Sequence, residues 1–130
     1  MNHIESPRTD DSAIEQEIKA KGLTAPRITP TDIEANVIDE LFFTAREASI
    51  GGDTALDERP IIAAQAHRLL TFCVLTLRNG FTVTGESACA SPENFDAEIG
   101  KKIARANAVQ KIWPLMGYWL KEQMHSAARK

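Results

Sequence analysis

Apolar residues recur at helical spacing in the first half of the chain. After Thr29-Pro30-Thr31, a start with helix-capping and first-turn residues, Ile33, Val37, Ile38, Leu41, Phe42 and Ala45 fall on one stripe. That spacing predicts one helix running to about Ala48, where Ile50-Gly51-Gly52 breaks it. Phe42 and Phe43 are adjacent, so one of them is expected at an edge or interface of that helix. Upstream, Ile14 and Ile18 form an i,i+4 pair in a short helix over about 12–21, stopped by Gly22. Residues 1–27 read as a flexible arm carrying this helix, 28–124 as an α+β core, and 125–130 as a basic tail. Residues 51–60 read as a surface loop. For 61–67 a helical turn and a strand lead-in stay open.

The pattern then switches to strand formers. Residues 68–78 (RLLTFCVLTLR) and 81–89 (FTVTGESAC) flank Asn79-Gly80, which predicts an antiparallel hairpin closed by a two-residue type I′ turn. In that register Arg78 faces Phe81, Leu77 faces Thr82, Thr76 faces Val83, Val74 faces Gly85 and Phe72 faces Ser87. One face then carries Leu70, Phe72, Val74 and Val83, and the other Leu69, Cys73, Leu75 and Leu77. Both faces being apolar, the chain's own helices cover one, and oligomerisation through hairpin and helices covers the other.

Ser91-Pro92 opens the last long helix, with Phe95, Ile99, Ile103, Ala106 and Trp113 as its buried stripe. Pro114 is expected to kink or interrupt it, with Trp119, Leu120 and Met124 inward beyond that point. Gly100, Ala104, Asn107 and Lys111 share a further face, whose small residues allow close approach by another helix, across a dimer axis for example. At 100° per residue Asn94, Glu98, Lys101 and Arg105 fall along one line, with Lys102 beside it. This is either a solvated face or an anion-binding strip.

Composition narrows the function classes. Residues 1–66 hold 6 Lys/Arg against 13 Asp/Glu, and residues 67–130 hold 9 against 5, around a net charge of −3. A duplex-binding domain is usually more basic, so duplex nucleic acid is not expected as a partner. The polar, acidic N-terminus does not resemble a signal peptide, and the apolar run Leu69–Leu77 is too short to span a bilayer. Cys73 and Cys89 point to opposite faces of the expected hairpin and stay unpaired, which fits a reducing cytosol. No Cys/His pair has metal-ligand spacing, and no phosphate loop or dinucleotide fingerprint is present. Gly85-Glu-Ser87-Ala-Cys89 faintly echoes a nucleophile elbow, but it lies within a strand. These features point to a binding protein with no catalytic, metal or cofactor site. Arg78 and Phe81, a guanidinium and an aromatic plate at the hairpin tip, suit a phosphate and an adenine base.

The runs LTFCVLTLRNGFTVTGESAC (70–89), NFDAEIG (94–100), IARANA (103–108) and IWPLMGYWL (112–120), with ITPTDIEANV (28–37), resemble a small tailed-phage protein family that includes the Thoeris anti-defence sponge proteins. The resemblance spans about residues 28–123. It implies a homo-oligomer, dimer or hexamer, in the cytoplasm of the infected bacterial host. Such a protein binds glycocyclic ADP-ribose, the signal of TIR-domain enzymes, and in some members CBASS cyclic oligonucleotides, without cleaving them. It further implies a pocket between protomers, lined by a hairpin aromatic, an Asn near the last helix and basic residues. Phe81 and Asn94 are the candidates for the first two. The basic group stays open among Arg78, Lys102, Arg105 and Lys111. A phage accessory protein that docks a host protein on the apolar hairpin face is the alternative.

Overall fold

Thr29 and Asp32 cap one helix turn reciprocally. The Asp32 N–H donates to Thr29 Oγ1 (3.1 Å) and the Thr29 N–H donates to the Asp32 carboxylate (2.9 Å), with Pro30 in the first turn. The computed structural model, which describes residues 11–51 and 59–129, shows this helix to be only Pro30–Ala35 (α2). The chain then extends as β1 (Val37–Thr44) and turns helical again as α3 (Ala45–Gly51). The single long helix expected to Ala48 is therefore wrong. Val, Ile, Phe and Thr favour a pleated ribbon, and pairing with a neighbouring strand overrides the helical spacing of their apolar positions. Thr44 and Glu47 form a second reciprocal cap at the restart, with bonds of 2.9 and 3.1 Å. A strand also resolves the adjacent phenylalanines. Phe42 packs against the core, while Phe43 stacks on Phe72 with ring centroids 5.3 Å apart.

The remaining elements are α1 (Asp11–Ala20), α4 (Ile61–His67), β2 (Leu70–Leu77), β3 (Thr82–Ala88), a 3-10 turn at Pro92–Asn94 and α5 (Ala97–Ala128). The architecture is α+β: a three-stranded antiparallel sheet, ordered β1-β2-β3, with α5 across one face. Residues 61–67 resolve to a helix. The arm over residues 1–10 and most of the loop expected at 51–60 lie outside the described residues.

The hairpin register differs by one residue from expectation. Leu75 pairs with Val83, Cys73 with Gly85 and Thr71 with Ser87. The Leu77 carbonyl accepts from Gly80 N–H (2.9 Å), and Leu77 N–H donates to the Phe81 carbonyl (2.8 Å). The loop thus has three residues. Only Gly80, at φ +89°, is left-handed, whereas a type I′ turn would need Asn79 there as well. A one-residue slip exchanges faces for one strand relative to the other. Val83 therefore joins Cys73, Leu75 and Leu77 under α5. Cys89 follows Val83, Gly85 and Ser87 in the buried alternation of β3, so the two free cysteines do not point to opposite faces. They lie four strand positions apart, about 13 Å.

The α5 helix is capped by Asp96, which accepts from Ile99 N–H (3.0 Å), not by Ser91. Its buried positions are Gly100, Ala104, Ala108 and Ile112, one residue every four. The small face expected to meet another helix instead meets the protein's own sheet, and Ile99 is exposed. A Cβ added at Gly85 would collide with the Ala104 carbonyl and the Ala108 amide, and one at Gly100 would stand 3.0 Å from Thr71 Oγ1. Only small residues permit a helix backbone this close to a strand. Pro114 lies inside the helix without ending it, and the helix continues past His125 to Ala128.

Side chains of α5 also bind the sheet's margins. Asn107 Nδ2 donates to the Glu86 carbonyl (2.9 Å) and Lys111 Nζ to Thr84 Oγ1 (3.4 Å), covering the outer edge of β3. Arg105 donates through Nη1 and Nη2 to both Glu34 oxygens (3.0 and 2.7 Å) and through Nε to Glu40 (2.8 Å). One guanidinium thus joins α5 to α2 and β1. Its hydrogen bonds hold the Glu34 carboxyl below its ordinary value of 4.5.

Two stability predictions follow from these contacts. Gly85→Ala should lower stability by about 3 kcal/mol, whereas Gly117→Ala, where an added Cβ meets nothing within 4 Å, should raise it by about 1 kcal/mol. Thermal unfolding checks both, and equal melting temperatures for the two variants would contradict the close seating of α5. Glu34→Gln should cost about 0.5–1 kcal/mol at pH 7, because the pair is partly exposed. A depressed carboxyl stabilises above its unfolded pKa and stops doing so as pH falls through the folded one. Denaturant titrations should therefore show the difference shrinking as pH is lowered below 4.5, the ordinary carboxyl value, and a gap that stays constant on acidification would contradict the ion pair as its source.

Candidate functional site

Past Ile112 the long helix outruns the sheet. Thirty-two residues of helix span about 48 Å, against roughly 26 Å for an eight-residue strand. The overhanging half of α5, the hairpin tip and the lead-in to α2 enclose an open groove of about 710 Å³. Ile28, Leu77, Leu115, Met116 and Leu120 supply its apolar wall. Arg27, Asp32, Asn36, Arg78 and Asn79 supply its polar groups, and Phe81 and Trp119 its rings.

Local bonds hold the tip in shape. Phe81 N–H donates to Asn79 Oδ1 (2.9 Å), and Arg78 N–H donates to the Asn36 carbonyl (3.0 Å), tying the tip to the start of β1. Phe81 is 55% exposed and Trp119 57%, so both rings present surface to the groove. Trp119 was expected inward and Met124 with it. Both are exposed because nothing in the sheet lies beneath this part of the helix among the described residues.

The sequence-derived candidates separate into two groups. Arg78 and Phe81 share the groove, although they are not the directly opposed pair that the two-residue turn implied. Asn94 sits in the 3-10 turn rather than in α5, so the line of Asn94, Glu98, Lys101 and Arg105 along one helix does not exist as drawn. It lies before the end of α5 that rests on Thr71, about 20 Å along β2 from the tip. Lys102 is exposed on that same half of the helix, and Lys111 reaches over the edge of β3. All three nitrogens of Arg105 are engaged by Glu34 and Glu40, so its planar fork is already occupied by carboxylates and its charge is offset. Lys101, on the same strip, pairs with Glu98 (3.8 Å) and stands 5.9 Å from the Phe42 ring centre. Within one chain, then, Asn94 and Phe81 do not meet.

Two groove residues escaped the sequence reading, Arg27 and Trp119. Arg27 sits in a segment that reads as linker, and Trp119 follows a proline that obscures the helix phase. Arg27 is engaged by Glu15 of α1 through two bonds, Nη1–Oε1 at 2.6 Å and Nη2–Oε2 at 2.9 Å. These bonds lower the Glu15 pKa and raise that of Arg27.

Other chemistry is subdued. Ser87 is buried under α5, and burial pushes the Cys73 thiol up to about 11, so it stays protonated at neutral pH. Among the described residues no group of three or more His, Cys, Asp or Glu could hold a metal ion, and no helix is long and apolar enough to cross a membrane.

No curated protein and no solved structure matches the chain. The sequence pattern of the phage protein (N4 Gp49/phage Sf6 gene 66) family does match it, over residues 28–124. That stretch starts at the lead-in to α2 and takes in the whole sheet, the hairpin tip and α5 as far as Met124. Covering most of the chain, the match places this protein in the phage protein (N4 Gp49/phage Sf6 gene 66) family.

Proposed function

We propose that this phage protein is an anti-defence sponge: it binds and sequesters nucleotide immune signals without cleaving them. The signals are glycocyclic ADP-ribose of the Thoeris pathway and cyclic oligonucleotides of CBASS, held in the cytoplasm of the infected host. The observation that carries this reading is the groove at the hairpin tip, where Phe81 and Trp119 expose their rings beside Arg27 and Arg78. Stacking on an aromatic ring contributes about 1–3 kcal/mol per base, and guanidinium groups recognise phosphates in bidentate fashion.

Tight retention asks for more than one open groove. A 1 nM affinity corresponds to about −12 kcal/mol, which calls for an enclosed site. In this reading a second protomer closes the groove and brings Asn94 and the exposed Lys102 toward Phe81 from the far end of its own sheet. The protein is then a homo-oligomer, dimer or hexamer, and neither a metal nor a cofactor takes part. A sponge needs no nucleophile, in keeping with a buried Ser87 and a protonated Cys73.

The second reading, a phage accessory protein that docks a host protein, draws on the sheet face opposite α5. There Leu41 and Ile38 are exposed beside the Phe43–Phe72 stack.

Phe81→Ala should weaken binding of glycocyclic ADP-ribose by about fivefold or more, from the loss of about 1–3 kcal/mol of stacking, with unchanged circular dichroism because the ring is exposed. Titration calorimetry measures the loss, and equal affinity for variant and wild type would contradict the groove as the site. Heating the wild-type complex should release ligand of unchanged mass, whereas recovery of cleaved ligand alone would overturn sequestration.

A further inference from the structure

The helix α1 is held on the body by very little. It has no buried residue, and Ile14, half of its apolar pair, is exposed. Open clefts of about 330 and 340 Å³ run between it and its neighbours, one beside the start of α2 and one beside Gln110 and Trp113 of α5. Its specific tie is the Glu15 carboxylate, whose two oxygens meet the two terminal nitrogens of Arg27. The Glu15 side chain is only 14% exposed in this contact. Arg27 lines both clefts beside α1 and also the groove that holds Phe81, Trp119 and Arg78. One guanidinium therefore stands between α1 and the groove, with its fork taken up by a carboxylate.

A guanidinium fork donates to a carboxylate or a phosphate in the same planar, two-bond geometry. Asp32, the carboxylate lining the groove, is committed to the Thr29 N–H at the start of α2. Arg27 and Arg78 are thus the groups that a phosphate in the groove would engage.

We infer that Glu15 occupies the phosphate position on Arg27 in the empty protein, so that a phosphorylated guest displaces it and releases α1. The inference rests on the groove being the nucleotide site proposed above. It makes α1 a strap whose seating reports occupancy, and Arg27 a binding residue that exchanges one anion for another. Affinity is correspondingly lower than the groove alone would allow, since the guest must break the Arg27–Glu15 contact.

Hydrogen–deuterium exchange on the full chain tests this with two probes, inorganic pyrophosphate and glycocyclic ADP-ribose, each against sodium chloride at equal ionic strength. Saturation with either should speed exchange across Glu15–Ala20 several-fold. Glu15→Gln should show the faster exchange without any probe and bind the probes roughly two- to fivefold more tightly, the scale of one partly exposed ion pair. Glu17→Gln removes the same charge from a residue paired with Lys21 on its own helix (3.2 Å), and should change neither readout.

Binding of glycocyclic ADP-ribose with α1 still protected, or equal affinity of Glu15→Gln and wild type, would overturn the strap and leave the sponge reading standing. Release of α1 by pyrophosphate without any binding of the nucleotide would support the strap and sink the sponge reading. Unchanged exchange with both probes would end the strap proposal.

Discussion

The structure depends on how closely α5 can sit on the sheet. Gly100, Ala104, Ala108 and Ile112 make a narrow ridge, and Gly85 leaves the gap into which it settles. With the helix backbone against the strand backbone, dispersion contacts replace what large side chains would otherwise supply. The seating also sets the reach of everything else on the helix. Arg105 comes within hydrogen-bonding distance of Glu34 and Glu40, and Asn107 and Lys111 reach the β3 edge. Because the ridge ends at Ile112, the remaining four turns project past the sheet and form one wall of the groove.

Much of this was legible from the sequence where local and tertiary preferences agree. The β2–β3 pair reads clearly because its strand formers flank Asn79-Gly80, and α5 because the start residues Ser91-Pro92 precede a long run of helix formers. The segment after α2 misled because Ile33, Val37, Leu41 and Ala45 are four apart, a spacing that a strand does not forbid. Thr44-Ala-Arg-Glu47 was the available counter-signal, since a capping box within a supposed helix marks a new start. The hairpin register turned on whether Asn79 joins Gly80 at positive φ or Gly80 adopts it alone. Both loop lengths use the same two residues, so composition does not separate them. The buried face of α5 was missed for a related reason: its residues are the small ones, and the eye follows Phe, Ile and Trp.

The site was less legible than the fold. Arg78 and Phe81 could be found because they flank the turn. Trp119 and Arg27 come into the groove only through the overhang of α5 and the path of the chain before α2, which are tertiary facts. Charge in the sequence overstated the cationic surface. Arg105 and Lys101 looked available along one helix face, yet the first is tied to two carboxylates from other elements and the second to Glu98. Of the two cations at the groove, Arg78 lies in the exposed loop while Arg27 is shared with α1.

If a nucleotide lies against the overhanging part of α5, Trp119, which lines the groove, must respond to it. The most direct measurement is the pair of indole N–H signals in a 15N-correlated NMR spectrum during addition of glycocyclic ADP-ribose. The account predicts a large, saturable shift of the Trp119 signal. Both indole signals standing still at ligand excess would contradict it.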